Sequence, residues 1–370
     1  MATHTHIPVR SARRCILRSA AAKFAFTTAV AISTTIALAY AGAIKAGPQA
    51  ASATAPKTAL KQAAAYGWPV KPFDRPHPVR ANFADPRSTF LGSPTMRGLM
   101  RGRCFCSYHA GIDISVPDGT AVYPVKSGKV RLVTREWVEV DSGAGVAFQY
   151  WHITPLVRVG DSVSEDKTVL GRTFKGFKHV HLSELRDGRL VNPLAPGHIG
   201  PYTDATAPKV GAITFRASDT GPELLPEYLH GRVEIVAAAT DTPAMRVPGQ
   251  WSGLPVTPAR LTFHVVHLPD RKTVVSETTA LDVRNTLPGN MRDMWRTYAR
   301  GTRQNFVPMG AHRYWLQPGV YLFKIAPSFD TRRLKDGAYE LTVTASDTRG
   351  NQGSGSQIFS VHNRTTWLQG

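Results

Sequence analysis

Acidic side chains are scarce in this chain. Its 370 residues hold 26 Asp and Glu against 45 Lys and Arg, a net charge of +19, and no acid precedes Asp74. The imbalance favours anionic partners through long-range attraction. Compact Lys/Arg runs and basic patches interleaved with aromatics are also missing, which argues against a nucleic-acid-binding protein. Cysteine is rare: three residues exclude a disulfide-built scaffold. Cys15 lies in a leader-like segment, which leaves Cys104 and Cys106. In an oxidising compartment such a pair invites a disulfide, although the i, i+2 loop is tight. Extra metal ligands or free thiols are the alternatives.

The first residues are basic and then apolar. Arg10, Arg13, Arg14, Arg18 and Lys23 precede an Ala-, Val-, Ile- and Leu-rich run over 24–43, with small-residue cleavage sites at Ala37-Leu-Ala39 and Ala39-Tyr-Ala41. The pattern predicts an export signal over 1–41, and hence a periplasmic, cell-wall or extracellular protein. A retained membrane anchor is the alternative, since the run is long enough to span a bilayer. Thr27, Thr28 and Ser33-Thr-Thr35 dilute it and favour cleavage. Arg13-Arg14 also fits a twin-arginine signal. The chain left after cleavage has 40 basic and 26 acidic residues, a net +14. For an exported protein the anionic partners implied are cell-wall polymers or lipid headgroups; contact with a membrane is expected only if the leader is retained. Residues 42–72 are predicted to be a linker, rich in Ala, Pro, Ser and Thr.

The chemistry concentrates in two short stretches. Tyr108-His-Ala-Gly-Ile-Asp113 sets an imidazole and a carboxylate four residues apart, followed by Ile112-Asp-Ile-Ser-Val-Pro117. β-Branched residues and then Pro predict a loop running into a strand. His179-Val-His181 sets two imidazoles at i and i+2, on one face if the segment is a strand. Two His and one Asp suit zinc and leave a fourth position for water, as in catalytic sites. Zinc would lower the pKa of that water to about 7. The Glu base of H-E-x-x-H enzymes is missing. Val146, Phe148, Tyr150 and His152 alternate with Ala147, Gln149 and Trp151, so His152 is expected on the strand face of Phe148 and Tyr150. No long amphipathic helix occurs over 108–184, and a mostly antiparallel β domain is predicted there.

Either motif alone is ambiguous in a chain with 13 His. The segments between them are ordered, however: Asp118-Gly-Thr-Ala-Val-Tyr-Pro-Val125, Ser127-Gly-Lys-Val-Arg-Leu132, Tyr150-Trp-His152, Val159-Gly-Asp-Ser-Val163 and Val191-Asn-Pro193. Together they resemble the lysostaphin-like (LytM-type) zinc metallopeptidases, which cut peptide cross-links in bacterial cell walls. The resemblance covers residues 80–196 and implies a catalytic domain over 73–204. It implies zinc held by His109, Asp113 and His181, with His152 and His179 in general acid/base work and oxyanion stabilisation. The implied partner is peptidoglycan and the implied activity an endopeptidase on its cross-links or stems. A catalytically inactive wall-binding or regulatory module on the same fold is the alternative. The chain departs from the family twice. Ser183 stands where an acid is common, with Glu184 on the opposite strand face, and Arg172-Thr-Phe-Lys-Gly-Phe-Lys178 replaces a Ser-Thr-Gly-type loop.

Beyond a Pro- and Gly-containing link at 196–208, seven short strands are predicted at 212–217, 232–240, 259–268, 273–279, 320–326, 339–345 and 357–361. Such a pattern makes the whole chain all-β, with a β-sandwich over 205–370. The stretch 336–351 resembles bacterial immunoglobulin-like domains. A segment this long is expected to fold on its own. Met291, Met294, Trp295 and Tyr298 fall at i, i+3, i+4 and i+7 and predict a one-sided helix over 290–303. It packs on the sandwich, or else meets substrate through Arg292, Arg296, Arg300 and Arg303.

Overall fold

The computed structural model describes residues 65–87, 106–219, 221–305 and 317–364. The expected leader, Cys15 and Cys104 lie outside these residues, as does most of the linker. Among the described residues no helix is long and apolar enough to cross a membrane. Cys106 is disulfide-bonded.

Nearly all regular structure is antiparallel strand. The first sheet runs Val79–Ala81, Ile112–Ser115, His179–Arg186, Val146–Trp151, Trp137–Asp141, Gly128–Val133 and Ser162–Val163 in spatial order, with Arg189–Val191 added beside His179–Arg186. His179–Arg186 is central. It pairs with Ile112–Ser115 on one side, His181 opposite Asp113, and with Val146–Trp151 on the other, His181 opposite Trp151. This register fixes two faces. Ile112, Ile114, Phe148, Tyr150, Val180 and Leu182 are fully buried in the core on one. Asp113, His181 and Trp151 lie on the other. The end of the expected linker is corrected: Tyr66, Trp68 and Val70 are buried members of the first core. Contact with the rest of the domain buries these three apolar side chains.

Two further sheets face each other across a second core. One runs Glu223–Leu224, Lys209–Arg216, Arg232–Thr240 and Leu322–Asp330; the other runs Thr273–Asp282, Arg260–His267, Gly337–Ser346 and Gln352–Val361. All seven expected strands form here, several of them longer than the alternation suggested. Inward side chains of both sheets, among them Phe215, Ile235, Phe263, Phe323, Leu341 and Phe359, make one cluster, as a β-sandwich requires. The expected helix shrinks to one turn, Met294–Thr297. Met294 and Tyr298 are buried, but Met291 and Trp295 are 40% and 54% exposed. Half of the apolar stripe therefore lies partly open to solvent, and Tyr298 pairs through its backbone with Phe323 just past the single turn.

The two cores are tied together. Phe83, Ala84, Cys106 and Tyr108 precede the first motif in sequence yet belong to the sandwich cluster. The Tyr298 hydroxyl donates to the Ala84 carbonyl at 2.9 Å, and Tyr108 N–H to the Met291 carbonyl at 2.8 Å. Buried Asp85 accepts from the Thr257 backbone N–H at 3.1 Å and from its hydroxyl. Burial pushes this carboxyl up to about 6 despite those donors. The coupling gives a test. Phe83→Ala removes a ring that is 2% exposed and is expected to cost about 3–5 kcal/mol. One shared thermal transition should move down. A separate, unmoved transition for the sandwich would show that the cores are energetically independent.

Candidate metal centre and active site

The site grows from the register of two strands. Asp113 and His181 are direct cross-strand neighbours, so their side chains leave the sheet together on the face away from the core. His109 arrives from the turn before Ile112–Ser115. Gly111 permits the approach: a Cβ there would collide with the Leu182 carbonyl oxygen and stand 3.0 Å from His181 Nε2. The main chain thus passes too close to its neighbour for any side chain.

Three ligand atoms converge. His109 Nε2 is 3.0 Å from Asp113 Oδ1 and 2.7 Å from His181 Nδ1, and His181 Nδ1 is 3.1 Å from Asp113 Oδ1. The edges of a tetrahedron around an ion with bonds of about 2.0–2.1 Å are roughly 3.3 Å, so this triangle is a few tenths of an ångström tighter than a bound zinc ion would require. The outer nitrogens are engaged elsewhere. His109 Nδ1 donates to the Asn82 carbonyl at 2.8 Å, and His181 Nε2 reaches the Ser183 hydroxyl oxygen at 2.8 Å. With those two positions protonated, both inner lone pairs point at each other and at the carboxylate. This orientation by outer partners is what a metal centre needs. Burial lowers His109 to about 3, aided by the charge of Arg87, so the ring is held neutral as a ligand must be. Burial alone would raise Asp113, but His109, His179 and Arg87 outweigh it and hold its carboxyl well below the usual range. The Arg87 guanidinium donates to Asp113 Oδ2 at 2.9 Å.

His179 and His152 stand beside this triangle. His179 Nε2 is 3.7 Å from Asp113 Oδ1. Its Nδ1 lies 2.6 Å from Arg80 Nη2 and 2.8 Å from the Phe177 carbonyl, while Arg80 Nη1 donates to that carbonyl at 3.1 Å. Nδ1 thus lies between a guanidinium, which can only donate, and a carbonyl, which can only accept, and these two contacts hold the ring with Nε2 toward the centre. The His152 ring centroid is 4.5 Å from that of His179 and stacks on Phe177 at 4.9 Å. The expectation that His152 shares the face of Phe148 and Tyr150 is corrected. The strand ends at Trp151, and His152 takes φ 65°, a left-handed kink that turns its ring out of the core and into the cleft. Burial lowers His152 to about 4, and its Nδ1 is buried without a hydrogen-bond partner.

All five residues singled out from the sequence therefore meet in one place. Sequence reasoning missed Asn82, Arg80 and Arg87, which act through contacts between distant segments and have no local signature. Ser183 was noticed only as a departure; in space it is the outer partner of His181. Glu184 faces the other way and binds Tyr66, Arg186 at 2.7 Å and His198 at 2.7 Å.

A buried pair of imidazole lone pairs and a carboxylate, flanked by two more histidines on an antiparallel sheet, is a donor set that could hold a divalent metal ion. Residues 107–193 match Peptidase family M23, a stretch containing all five histidine and aspartate positions. The match spans about a quarter of the chain, the part that holds the strands of the site. Among solved structures it is similar to the SpoIIQ–SpoIIIAH pore-forming complex, at 22% identity and TM-score 0.25, covering 31% of this chain and 80% of that one. It is similar to a zinc-containing peptidase from Vibrio cholerae, at 22% identity and TM-score 0.27, covering 35% of this chain and 39% of that one. It is also similar to pseudoalterin, an M23 metalloprotease from the deep sea, at 17% identity and TM-score 0.25, covering 37% and 79%.

The metal geometry generates a prediction. Purified protein should hold about one zinc per chain, and His181→Ala should release it while β circular dichroism persists. Ser183→Ala, which leaves every ligand in place, should weaken zinc about tenfold or more. Unchanged zinc affinity in Ser183→Ala would remove the serine from the outer shell.

Proposed function

We propose that the protein is an exported, zinc-dependent metalloendopeptidase that hydrolyses peptide bonds in the cross-links or stems of peptidoglycan. The carrying observation is the convergence of His109, Asp113 and His181 with His152 and His179 beside them, inside the M23 match. M23 metallopeptidases are zinc-dependent. The net charge of the chain supports a wall of anionic polymer as its setting.

The ligands proposed are the His109 Nε2, Asp113 Oδ1 and His181 Nδ1 atoms. Zinc bound there would polarise a carbonyl and make hydroxide available near neutral pH. The chain's other side chains have separate tasks. His179, held by Arg80, would present Nε2–H as a donor to an oxygen that gains negative charge. His152 keeps a nitrogen free for a proton passing from water to the leaving amine, and Phe177 holds its ring in plane against the cleft wall. Burial disfavours the charged form of both rings, which leaves His152 an unprotonated nitrogen.

This division of labour is testable in four single variants. His109→Ala and His181→Ala should lose zinc. His152→Ala and His179→Ala should keep near-normal zinc and lose wall hydrolysis by about a hundredfold or more. Metal content measured beside the release of amino groups from purified wall decides it. Near-normal hydrolysis in both His152→Ala and His179→Ala would reject these roles, and zinc loss in His179→Ala with retention in His181→Ala would exchange the two ligands.

A further inference from the structure

The cleft beside the site has walls from both halves of the chain. It encloses about 970 Å³. One wall carries Arg80, Arg87, His152, Phe177, Lys178 and His179; the other comes from the sandwich, with Pro248, Gly249, Gln250, Trp251 and Asn305. The sandwich wall is anchored from behind. Asn305 Nδ2 donates to the Pro255 carbonyl at 2.7 Å and the Tyr321 hydroxyl to the same oxygen at 3.1 Å. Asn305 Oδ1 accepts from Gly319 N–H at 2.6 Å. These contacts fix Asn305 and Pro255, four residues past Trp251, to the sandwich.

Trp251 meets the other wall at one point. Its ring lies 4.0 Å from the Arg80 guanidinium carbon, a cation–π contact. Arg80 in turn touches His179. Arg80 is 6% exposed, yet among the described residues no carboxylate lies within ion-pair distance of it, and its Nε–H has no partner. Two of its five N–H bonds serve Phe177 and His179, which leaves three. Lys178, at the cleft mouth, likewise has no ion-pair partner among the described residues. The carboxylates nearby are committed. Asp113 binds Arg87, Asp85 binds Thr257, and Asp118 accepts from Gly176 and Lys178 N–H. A buried cation without its counter-charge is costly, and a ligand carboxylate removes that cost.

We propose that the 248–251 loop of the sandwich is a substrate-binding wall of this cleft, and that it selects an acidic peptide whose carboxylate pairs with Arg80 and Lys178 beneath Trp251. The proposal rests on the peptidase reading only for the location of the scissile bond. Recognition is carried by the cations and the indole face, so it persists whether or not the peptide is cut. A neutral peptide would leave both cations unpaired and should bind more weakly.

The experiment uses the full chain, zinc-loaded, with His152→Ala to suppress turnover. Binding of acetyl-Ala-D-Glu-Gly-Gly and of its D-Gln counterpart is measured by calorimetry. The glutamyl peptide should bind about tenfold more tightly. Lys178→Gln, an exposed substitution that cannot unfold the core, and Arg80→Gln should each reduce this preference severalfold. Trp251→Ala should weaken the glutamyl peptide about tenfold, and Trp251→Phe should restore most of the loss, since an aromatic face remains. Equal affinity for the two peptides overturns the proposal, as does a full preference in both Lys178→Gln and Arg80→Gln. Unchanged binding in Trp251→Ala removes the sandwich from the cleft. Selective peptide binding by a protein that releases no amino groups from wall would instead reject the peptidase reading and leave this one standing.

Discussion

Two imidazole lone pairs and a carboxylate oxygen meet within about 3 Å of one another in a buried place, and the surrounding structure follows from the need to hold them there. Such an arrangement is repulsive unless a cation stands between the atoms or protons are shared among them. Asn82 and Ser183 occupy the outer nitrogens, so the rings cannot relieve the repulsion by turning over. Gly111 removes the one side chain that would push the strands apart. Arg87 holds the second carboxylate oxygen and fixes which one faces inward. None of these contacts stabilises the domain strongly by itself. Their common effect is to pre-form a cluster of donors that could hold a divalent metal.

The second half of the chain takes part in this construction. Asn82 and Asp85, which flank the aromatic anchor Phe83, are both bonded to Thr257 of the sandwich. The carbonyl that orients His109 therefore sits in a turn clamped between the two cores. On the other side of the centre, a groove carrying His109, Trp151 and His181 is closed by Met291, from the insert that was expected to form a long helix. The backbone of that insert pairs with Tyr108 and Phe323. Coupling of this kind makes the stability of the sandwich part of the geometry of the site.

The strands were legible in the sequence because they obey a period of two, whereas the choice of His109, Asp113 and His181 as ligands rests on the family resemblance. Alternation put His179 and His181 on one strand face, opposite Val180 and Leu182 of the core, and it marked the strands of the sandwich with little error. Where periodicity stops, legibility stops with it. His152 escaped correct placement because one left-handed residue reverses the expected side, and no local residue type announces that kink. Trp68 looked like part of a linker because proline hides burial that only tertiary contact supplies. Arg80 and Trp251 lie 171 positions apart in the chain, and a cation–π contact between them leaves no trace in either neighbourhood.

The serine at position 183 has a consequence for charge. Strand alternation sends residue 184 to the far face, where its carboxylate is occupied by Tyr66, Arg186 and His198. The only side chain able to reach His181 Nε2 from the same strand is then residue 183, and here it is neutral. A carboxylate in that place would add negative charge to the ligand ring and draw electron density toward a bound metal. Serine orients the ring without doing so, and Arg87 withdraws charge from the remaining anionic ligand. A divalent ion in this centre would carry little compensation from two neutral imidazoles and one shared carboxylate. The cleft beside it adds Arg80 and Lys178, neither of them neutralised. Surplus positive charge at the reacting end strengthens the pull on a carbonyl oxygen, and it raises the cost of leaving the cleft without an anion. The neutral serine beside His181 and the cations Arg80 and Lys178 beside the cleft thus add charge of the same sign.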